Sequence, residues 1–190
     1  MDGSSLDKKT DELLYKKYLK DADHSAFEVL LRRYREPLTL FLYGILNNIE
    51  DAEDIMLDAY AVAAMGKSSF AGKSSFKTWL YAIGRNLALK SVRKKHFFFM
   101  PINEEVTEIP GDNGIPDMEL LQSEDKQILY KALEKINPDY RQILHLIYFE
   151  NMSNDEAAKV LKKNKKQVYN LVARGKQSLK ETLEALGYER

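Results

Sequence analysis

A breaker-rich segment near the middle of the chain most limits how the chain can fold. Three of the chain's five prolines, Pro101, Pro110 and Pro116, lie in this segment together with Gly111 and Gly114. The segment has no helical period, so it is interpreted as a linker. It separates about 100 residues from about 70, and each part is long enough for a small hydrophobic core.

The formal net charge of zero conceals blocks of opposite sign. Residues 1–64 carry −5, 65–100 carry +8, 101–125 carry −8 and 161–190 carry +5, whereas 126–160 are neutral. Two basic blocks on either side of an acidic one indicate two anion-binding surfaces on separate units. Ordinary solvated helix faces are the alternative that the charge pattern alone leaves open.

Several kinds of site are excluded by the residues that the chain carries. The absence of Cys excludes disulfides, thiolate zinc sites and a thiol nucleophile. His24, His96 and His145 fall on separate predicted elements, so we expect no metal site and no cofactor. The N-terminus does not resemble a signal peptide, and the longest apolar stretch is too short to span a membrane. We therefore expect a cytoplasmic protein without membrane insertion.

Apolar residues in the first part recur at helical spacing. Stripes at 13–19 and 27–34 predict two helices, and Pro37 is expected in the first turn of a third. Acidic residues at 50–54 then open a helix that should run to about Met65. A final helix places apolar side chains on one buried stripe: Phe76, Trp79, Leu80, Ile83 and Leu87.

The second part predicts four helices, of which the last two resemble a helix-turn-helix. Pro138 opens the second of the four, and Ser153 with Glu156 matches the capping box that begins the third. No alternating pattern is long enough for a sheet, so the expected fold is all-α, with two small helical domains and a flexible acidic linker. If Val168 faces inward, a row of mostly polar side chains on the last helix faces solvent and can contact duplex DNA. That row contains Lys166, Tyr169, Asn170, Ala173 and Gln177, with Arg174 and Lys180 on its flanks.

The basic block at 65–100 interleaves cations with aromatic rings. The sequence Gly-Lys-Ser-Ser-Phe occurs twice, at 66–70 and 72–76, and predicts a flexible loop before a helix. Rings that stack on unpaired bases and cations that follow the backbone are typical of single-strand binding. Phe70 is the better stacking candidate, because Phe76 and Trp79 lie on the apolar stripe.

An acidic row lies on the helix that begins near residue 50. Asp51, Asp54 and Asp58 share one face at spacings of three and four. A solvated surface is the simpler interpretation, whereas a functional one is a docking site for a basic protein. An acidic row cannot serve DNA, so the functional interpretation requires a second kind of partner.

Taken together, these motifs resemble the extracytoplasmic-function (ECF) sigma factors of bacterial RNA polymerase. The resemblance rests on residues 51–60 (DAEDIMLDAY), residues 76–89 (FKTWLYAIGRNLAL), the linker, the segment 136–144 (INPDYRQIL) and the C-terminal helix-turn-helix. It implies a region 2-like domain at 1–100, an acidic linker at 101–122 and a region 4-like domain at 123–190.

The resemblance also implies partners and site residues. The first domain would dock on the largest polymerase subunit through Asp51, Asp54, Leu57 and Asp58. It would bind the melted proximal promoter element as a single strand through Phe70, Lys73, Phe76, Lys77, Tyr81, Arg85 and Asn86. The second domain would contact a flap on the other large subunit. It would read the distal element as duplex through residues of the last helix: Lys165, Lys166, Tyr169, Asn170, Ala173, Arg174 and Gln177. Many relatives are held by an anti-sigma protein, which is a further candidate partner.

Three departures from the family pattern lie in the implied sites. Leu57 stands where the family usually has a polar residue, the Gly-Lys-Ser-Ser-Phe repeat falls in the recognition loop, and Lys166-Gln167 replaces the usual Gly-Thr. The expected function is promoter-specific initiation with core RNA polymerase and no covalent chemistry of its own. The alternatives are a stand-alone helix-turn-helix regulator that binds duplex DNA and an adaptor that binds proteins through its helical faces.

Overall fold

The computed structural model describes residues 6, 9–66, 70, 72–98 and 124–188, and these ranges contain helices and no strand. The all-α prediction is thus confirmed. The first domain comprises α1 (Asp11–Asp21), α2 (His24–Leu46), α3 (Ile49–Ala64) and α4 (Phe76–Phe98). The second comprises α5 (Glu124–Lys135), α6 (Pro138–Leu144), a π-helical turn (His145–Phe149), α7 (Asn154–Leu161) and α8 (Lys165–Ala185). The expected linker at 101–122 lies outside the described residues.

Helix α2 is one continuous helix where the sequence predicted two. Asp23 caps its N-terminus by accepting a hydrogen bond from the Ala26 N–H at 3.1 Å, and Pro37 lies inside the helix. Proline cannot donate to the carbonyl one turn earlier, which makes a helix boundary the local preference. However, Leu30 and Phe41, on either side of Pro37, are buried in the same core. The prediction that Pro37 begins a new helix is therefore wrong, because packing of a continuous apolar face outweighs the local cost.

The first domain is built around α2, which packs against α1, α3 and α4. Two buried phenols fasten α3 to its neighbours. The Tyr15 hydroxyl donates to the Ala63 carbonyl at 2.8 Å, and the Tyr60 hydroxyl donates to the Leu30 carbonyl at 2.9 Å. The Ala63 carbonyl also accepts from the Gly66 N–H at 3.2 Å, so the Tyr15 bond is an additional contact to the last turn of α3. These contacts hold α3 in a defined rotation about its axis.

The second domain contains the predicted helix-turn-helix in α7 and α8. Ser153 and Glu156 form the predicted capping box at the start of α7, so this part of the prediction is confirmed. Helix α6 packs against α8 at Gly175, where an added Cβ would lie 3.3 Å from atoms of Leu144 and Tyr140. Only a residue without a side chain permits this approach without displacement of α6 or α8.

The two domains are in direct contact. Helix α4 packs against α7, and α2 packs against α6. The buried side chains of both domains form one continuous cluster. No helix in the described part of the chain combines the length and the apolar character that crossing a membrane requires.

Candidate functional surfaces

The acidic row lies on the solvent side of α3. Asn48 caps the helix by accepting a hydrogen bond from the Asp51 N–H at 2.8 Å, which sets where the row begins. Asp54 and Asp58 are exposed, and neither forms an ion pair within the described ranges. Asp51 differs, because Lys95 Nζ from the end of α4 lies 2.5 Å from its Oδ2 atom. The structure therefore leaves two of the three predicted acids unpaired.

Two exposed apolar side chains accompany these acids. Leu57 is 55% exposed and Met65 is 63% exposed, although both are large hydrophobic residues. Sequence reasoning missed Met65, which follows Asp54 and Asp58 at helical spacing and could have been found from that period. The face thus combines negative charge with apolar area, which suits a partner helix that carries both cations and apolar side chains.

The single-strand site predicted on α4 is mostly buried. Phe76 and Tyr81 are completely inaccessible, and the Tyr81 ring lies 5.3 Å from the ring of Phe41 on α2. Tyr81, one of the predicted single-strand residues, is therefore not accessible in this conformation. The helical period predicted one buried stripe on α4. In the structure α4 packs against α2 and also against α7, so side chains outside that stripe are buried as well.

Phe70 is partly buried against other aromatic side chains. It packs against the rings of Tyr15, Phe76 and Trp79 at centroid distances of 5.7, 6.3 and 5.4 Å. Such tilted and edge-on arrangements are favourable for aromatic pairs. Phe70 therefore forms part of an aromatic cluster with side chains of α1 and α4.

The cations predicted on α4 contact the second domain. Lys77 Nζ lies 2.8 Å from Glu150 Oε2 and donates to the Glu150 carbonyl at 2.6 Å. Arg85, only 7% exposed, donates from Nε to Gln142 Oε1 at 2.7 Å. Of the predicted single-strand residues, only Lys73 and Asn86 are exposed.

Glu150 lies among polar groups from both domains. Burial by itself would raise the pKa of the Glu150 carboxyl, but its contacts with His145 and Lys77 outweigh burial and hold that pKa at about 2. The carboxylate is therefore charged throughout the physiological range. It forms a buried ion pair between the domains, which sequence reasoning did not find because no local pattern marks it.

The predicted recognition face of α8 is open to solvent. Its seven residues are exposed, and Tyr169 is 60% exposed, whereas Val168 is completely buried as expected. Asn164 and Gln167 form a second capping box, in which each side chain accepts a hydrogen bond from the other residue's backbone N–H at 2.9 Å. The departure Lys166-Gln167 thus has a structural role, since Gln167 helps to fix the first turn of α8.

An apolar recess between the π-helical turn and α8 was not predicted. Leu144, Tyr148, Leu179 and Leu183 line it, and the Lys176 ammonium lies 5.2 Å from the Tyr148 ring centroid. The bulge of the π-helical turn changes the helical register, so the apolar period of the sequence does not indicate which of its side chains are exposed.

Comparison with known proteins links both domains to one family. The model for sigma-70 region 2 matches residues 30–97, and that for sigma-70 region 4 matches residues 126–179. The chain is 27% identical over 178 residues to the ECF RNA polymerase sigma factor SigW of Bacillus subtilis, covering 90% of this chain and 95% of SigW. It is also 27% identical to SigX of the same organism, covering 86% of each protein.

Two solved structures share the fold. The sigma factor RpoE of Bartonella quintana, in complex with the anti-sigma factor NepR, aligns with a TM-score of 0.64 at 25% identity, over 83% of this chain and 96% of RpoE. CnrH, in complex with the cytosolic domain of CnrY, aligns with a TM-score of 0.65 at 20% identity, over 93% of this chain and 99% of CnrH.

Proposed function

Because the chain belongs to the sigma-70 family as an ECF sigma factor, we propose that it directs core RNA polymerase to promoters through three separate surfaces. One observation carries the proposal: an acidic and apolar face on α3 and a basic, polar face on α8 are exposed on the same chain. The first suits a protein and the second suits duplex DNA. The chain itself performs no covalent chemistry.

The α3 face is proposed to dock on a basic helical element of the largest polymerase subunit. Asp54 and Asp58 supply charge that has no partner in the described structure, and Leu57 and Met65 supply apolar area beside it. Charge complementarity would speed association, while burial of the apolar side chains would slow dissociation.

The α8 face is proposed to read the distal promoter element as duplex. Its N-terminal residues project from a turn that the second capping box holds rigid. Asn170 and Gln177 can read base edges, and Lys166 and Arg174 can contact phosphates. Lys165 is paired with Asp155 at 2.9 Å, so its contact with DNA would require that exposed ion pair to exchange.

The loop before α4 and the exposed side of α4 are proposed to hold the proximal element once it is melted. Lys73 and Asn86 are accessible, whereas Phe70, Lys77 and Arg85 are engaged in other contacts. Unstacking a base costs a few kcal/mol, which trapped bases could repay through stacking and cation contacts.

The proposed partners are the large subunits of core polymerase, promoter DNA and an anti-sigma protein. The last follows from RpoE and CnrH, sigma-type folds that were solved with NepR and CnrY. A protein that works on bacterial RNA polymerase would act in the cytoplasm.

Transcription with purified components tests the proposed function. The full chain is added to core polymerase and genomic DNA fragments, and run-off transcripts are sequenced. We expect transcripts with defined start sites that are absent without the chain. Mass spectrometry first confirms that no inhibitor protein co-purifies with the chain. If no such transcripts then appear at any salt concentration tested, the proposal is contradicted.

A pair of charge reversals tests the docking face. Asp54→Lys with Asp58→Lys should abolish binding to core polymerase without changing the helix content measured by circular dichroism. The matched control is Asp21→Lys with Glu28→Lys, which changes the net charge equally at exposed positions of α1 and α2. If both pairs of substitutions weakened binding equally, the change in net charge alone would explain the loss, and the assignment of the α3 face would be refuted.

A stand-alone duplex-binding regulator is the second candidate. It is favoured by the full exposure of the α8 face in a conformation that covers most of the α4 site. Footprinting without polymerase separates the two functions, because a regulator should protect a specific duplex by itself. Specific protection that core polymerase does not change would favour the regulator.

A further inference from the structure

Tyr169 and Ala173 form an apolar pair on the exposed face of α8. Tyr169 is 60% exposed, whereas the core tyrosines Tyr60 and Tyr81 are at most 4% exposed. Ala173, one turn further along α8, is exposed as well. Burial of such apolar surface is favourable, so a ligand that covers the pair gains affinity from it. The position of the pair on the face indicates which ligand that is.

The pair lies among polar groups. Val168 is completely buried, which fixes the rotation of α8, and the helical period then places Tyr169 and Ala173 together on the open side. Lys166 precedes the pair by one turn and Asn170 lies beside it, and both are exposed. A ligand that fits this part of the face therefore offers one apolar group within a surface that is otherwise polar and anionic.

The major groove of duplex DNA has this composition. Its base edges present hydrogen-bond donors and acceptors between two phosphate backbones, and the one methyl group among them is the C5-methyl of thymine. Side chains four residues apart on a helix have Cβ atoms about 6 Å apart, so a methyl group fits between the Tyr169 ring and the Ala173 methyl group. Because the Ala173 side chain ends at Cβ, the backbone of α8 can approach the base edges closely.

The charges along α8 place the closest approach of DNA at the same part of the helix. Lys166 and Arg174, before and after the pair, are exposed cations that suit phosphates. Further along, the Gln177 side chain donates to Glu181 Oε1 at 2.7 Å, so a carboxylate lies at the far end of the face. Since a carboxylate repels phosphates, DNA is expected closest to the N-terminal half of α8, which contains the pair.

We propose that Tyr169 and Ala173 determine specificity at one base pair of the distal element by binding the methyl group of a thymine. The inference rests on the proposed function, because it assigns a base to the face that is proposed to read the duplex. The contact selects thymine over cytosine, whose C5 atom carries only hydrogen. Asn170, beside the pair, remains available for the hydrogen-bonding groups of a neighbouring base.

Deoxyuridine tests the contact, because it pairs as thymidine does and lacks only the methyl group. Distal elements are selected from a random-sequence duplex pool by the complex of the full chain with core polymerase. Each thymine of the selected element is then replaced in turn, and the dissociation constant is measured by fluorescence anisotropy. We expect one position at which loss of the methyl group weakens binding about fourfold, the affinity that burial of one methyl-sized group provides.

Variants of the pair assign the effect to these side chains. Tyr169→Ala should bind the thymine and uracil duplexes equally, because the ring is gone, and Ala173→Gln should do the same, because a longer side chain fills the space beside the ring. Tyr169→Phe keeps the ring and should keep the fourfold difference. Tyr148→Ala, which removes another exposed tyrosine of the same domain, is the matched control and should also keep it. Circular dichroism should show unchanged helix content in all four variants.

Three results would overturn the inference. One is a selected element in which no thymine responds to loss of its methyl group, or which contains no thymine. Another is a methyl effect that persists in Tyr169→Ala and Ala173→Gln. The third is a Tyr169→Ala variant that binds core polymerase more weakly in the absence of DNA and keeps the methyl effect, since the ring would then contact the polymerase.

The selection also separates this inference from the proposed function. A defined distal element without a methyl effect refutes the reading of thymine and leaves promoter recognition standing. Recovery of no sequence, combined with no promoter-specific run-off transcript, refutes the proposed function and the reading of thymine together.

Discussion

Glu150→Gln should remove a specific part of the pH dependence of stability. The carboxyl is buried and has a pKa of about 2 in the folded protein, against an ordinary value of 4.5 for a glutamic acid side chain. A folded pKa below the unfolded one means that the charged form stabilises the fold. This pKa difference corresponds to about 3 kcal/mol of stabilisation at neutral pH, because each pKa unit is worth about 1.4 kcal/mol.

The sign of this effect gives the pH window. The stabilisation is fully present above about pH 5 and is lost as the pH falls towards about 2. The assay is urea unfolding of wild type and Glu150→Gln at several pH values, followed by circular dichroism. The difference in unfolding free energy between the two proteins should shrink by about 3 kcal/mol across that window.

Glu28→Gln provides the control, since its carboxyl is exposed on α2. Its difference from the wild type should stay within about 0.5 kcal/mol. If the Glu150→Gln difference were constant with pH, Glu150 would not be held charged by Lys77 and His145, and the ion pair between the domains would lose its assigned role.

Three further predictions concern α8 and α3. Gly175→Leu should lower the unfolding free energy, measured in urea, by about 1–3 kcal/mol or more, because the new side chain meets Leu144 and Tyr140 on α6. A variant as stable as the wild type would contradict that packing. Asn164→Ala should cost about 1 kcal/mol and weaken duplex binding in a gel-shift assay, since it removes a cap of α8; unchanged unfolding would show that the cap contributes nothing. Lys95→Ala should tighten binding to core polymerase by freeing Asp51, as measured by surface plasmon resonance, whereas Lys90→Ala, five residues earlier on α4, should not.

Local patterns were sufficient for the surfaces formed by a single helix. The exposed face of α8 follows from placing Val168 inward, and the acidic face of α3 follows from spacings of three and four residues. Both faces were predicted because the period of a helix is a property of its own residues. The capping box at Ser153 was predicted for the same reason, since both partners lie within one turn.

Contacts between distant segments decided the rest. Pro37 lies inside α2 because side chains of α3 and α4 bury the apolar face on both sides of it. Tyr81, Lys77 and Arg85 share one face of α4, as their spacing predicts, but the environment of that face depends on the second domain. Residues 77 and 150 are far apart in the chain, and no sequence period connects them.

The sequence by itself determined the all-helical class, most helix positions, and the side chains on the exposed faces of α3 and α8. Hydrogen bonding and apolar periodicity within a helix are local, so they can be read from neighbouring residues. Only the tertiary structure decided that the α4 surface is covered, because burial depends on which distant side chains pack there. Seven residues were expected to hold the melted strand. The side chains of five of them contact other protein groups in this conformation, and the side chains of Lys73 and Asn86 remain exposed.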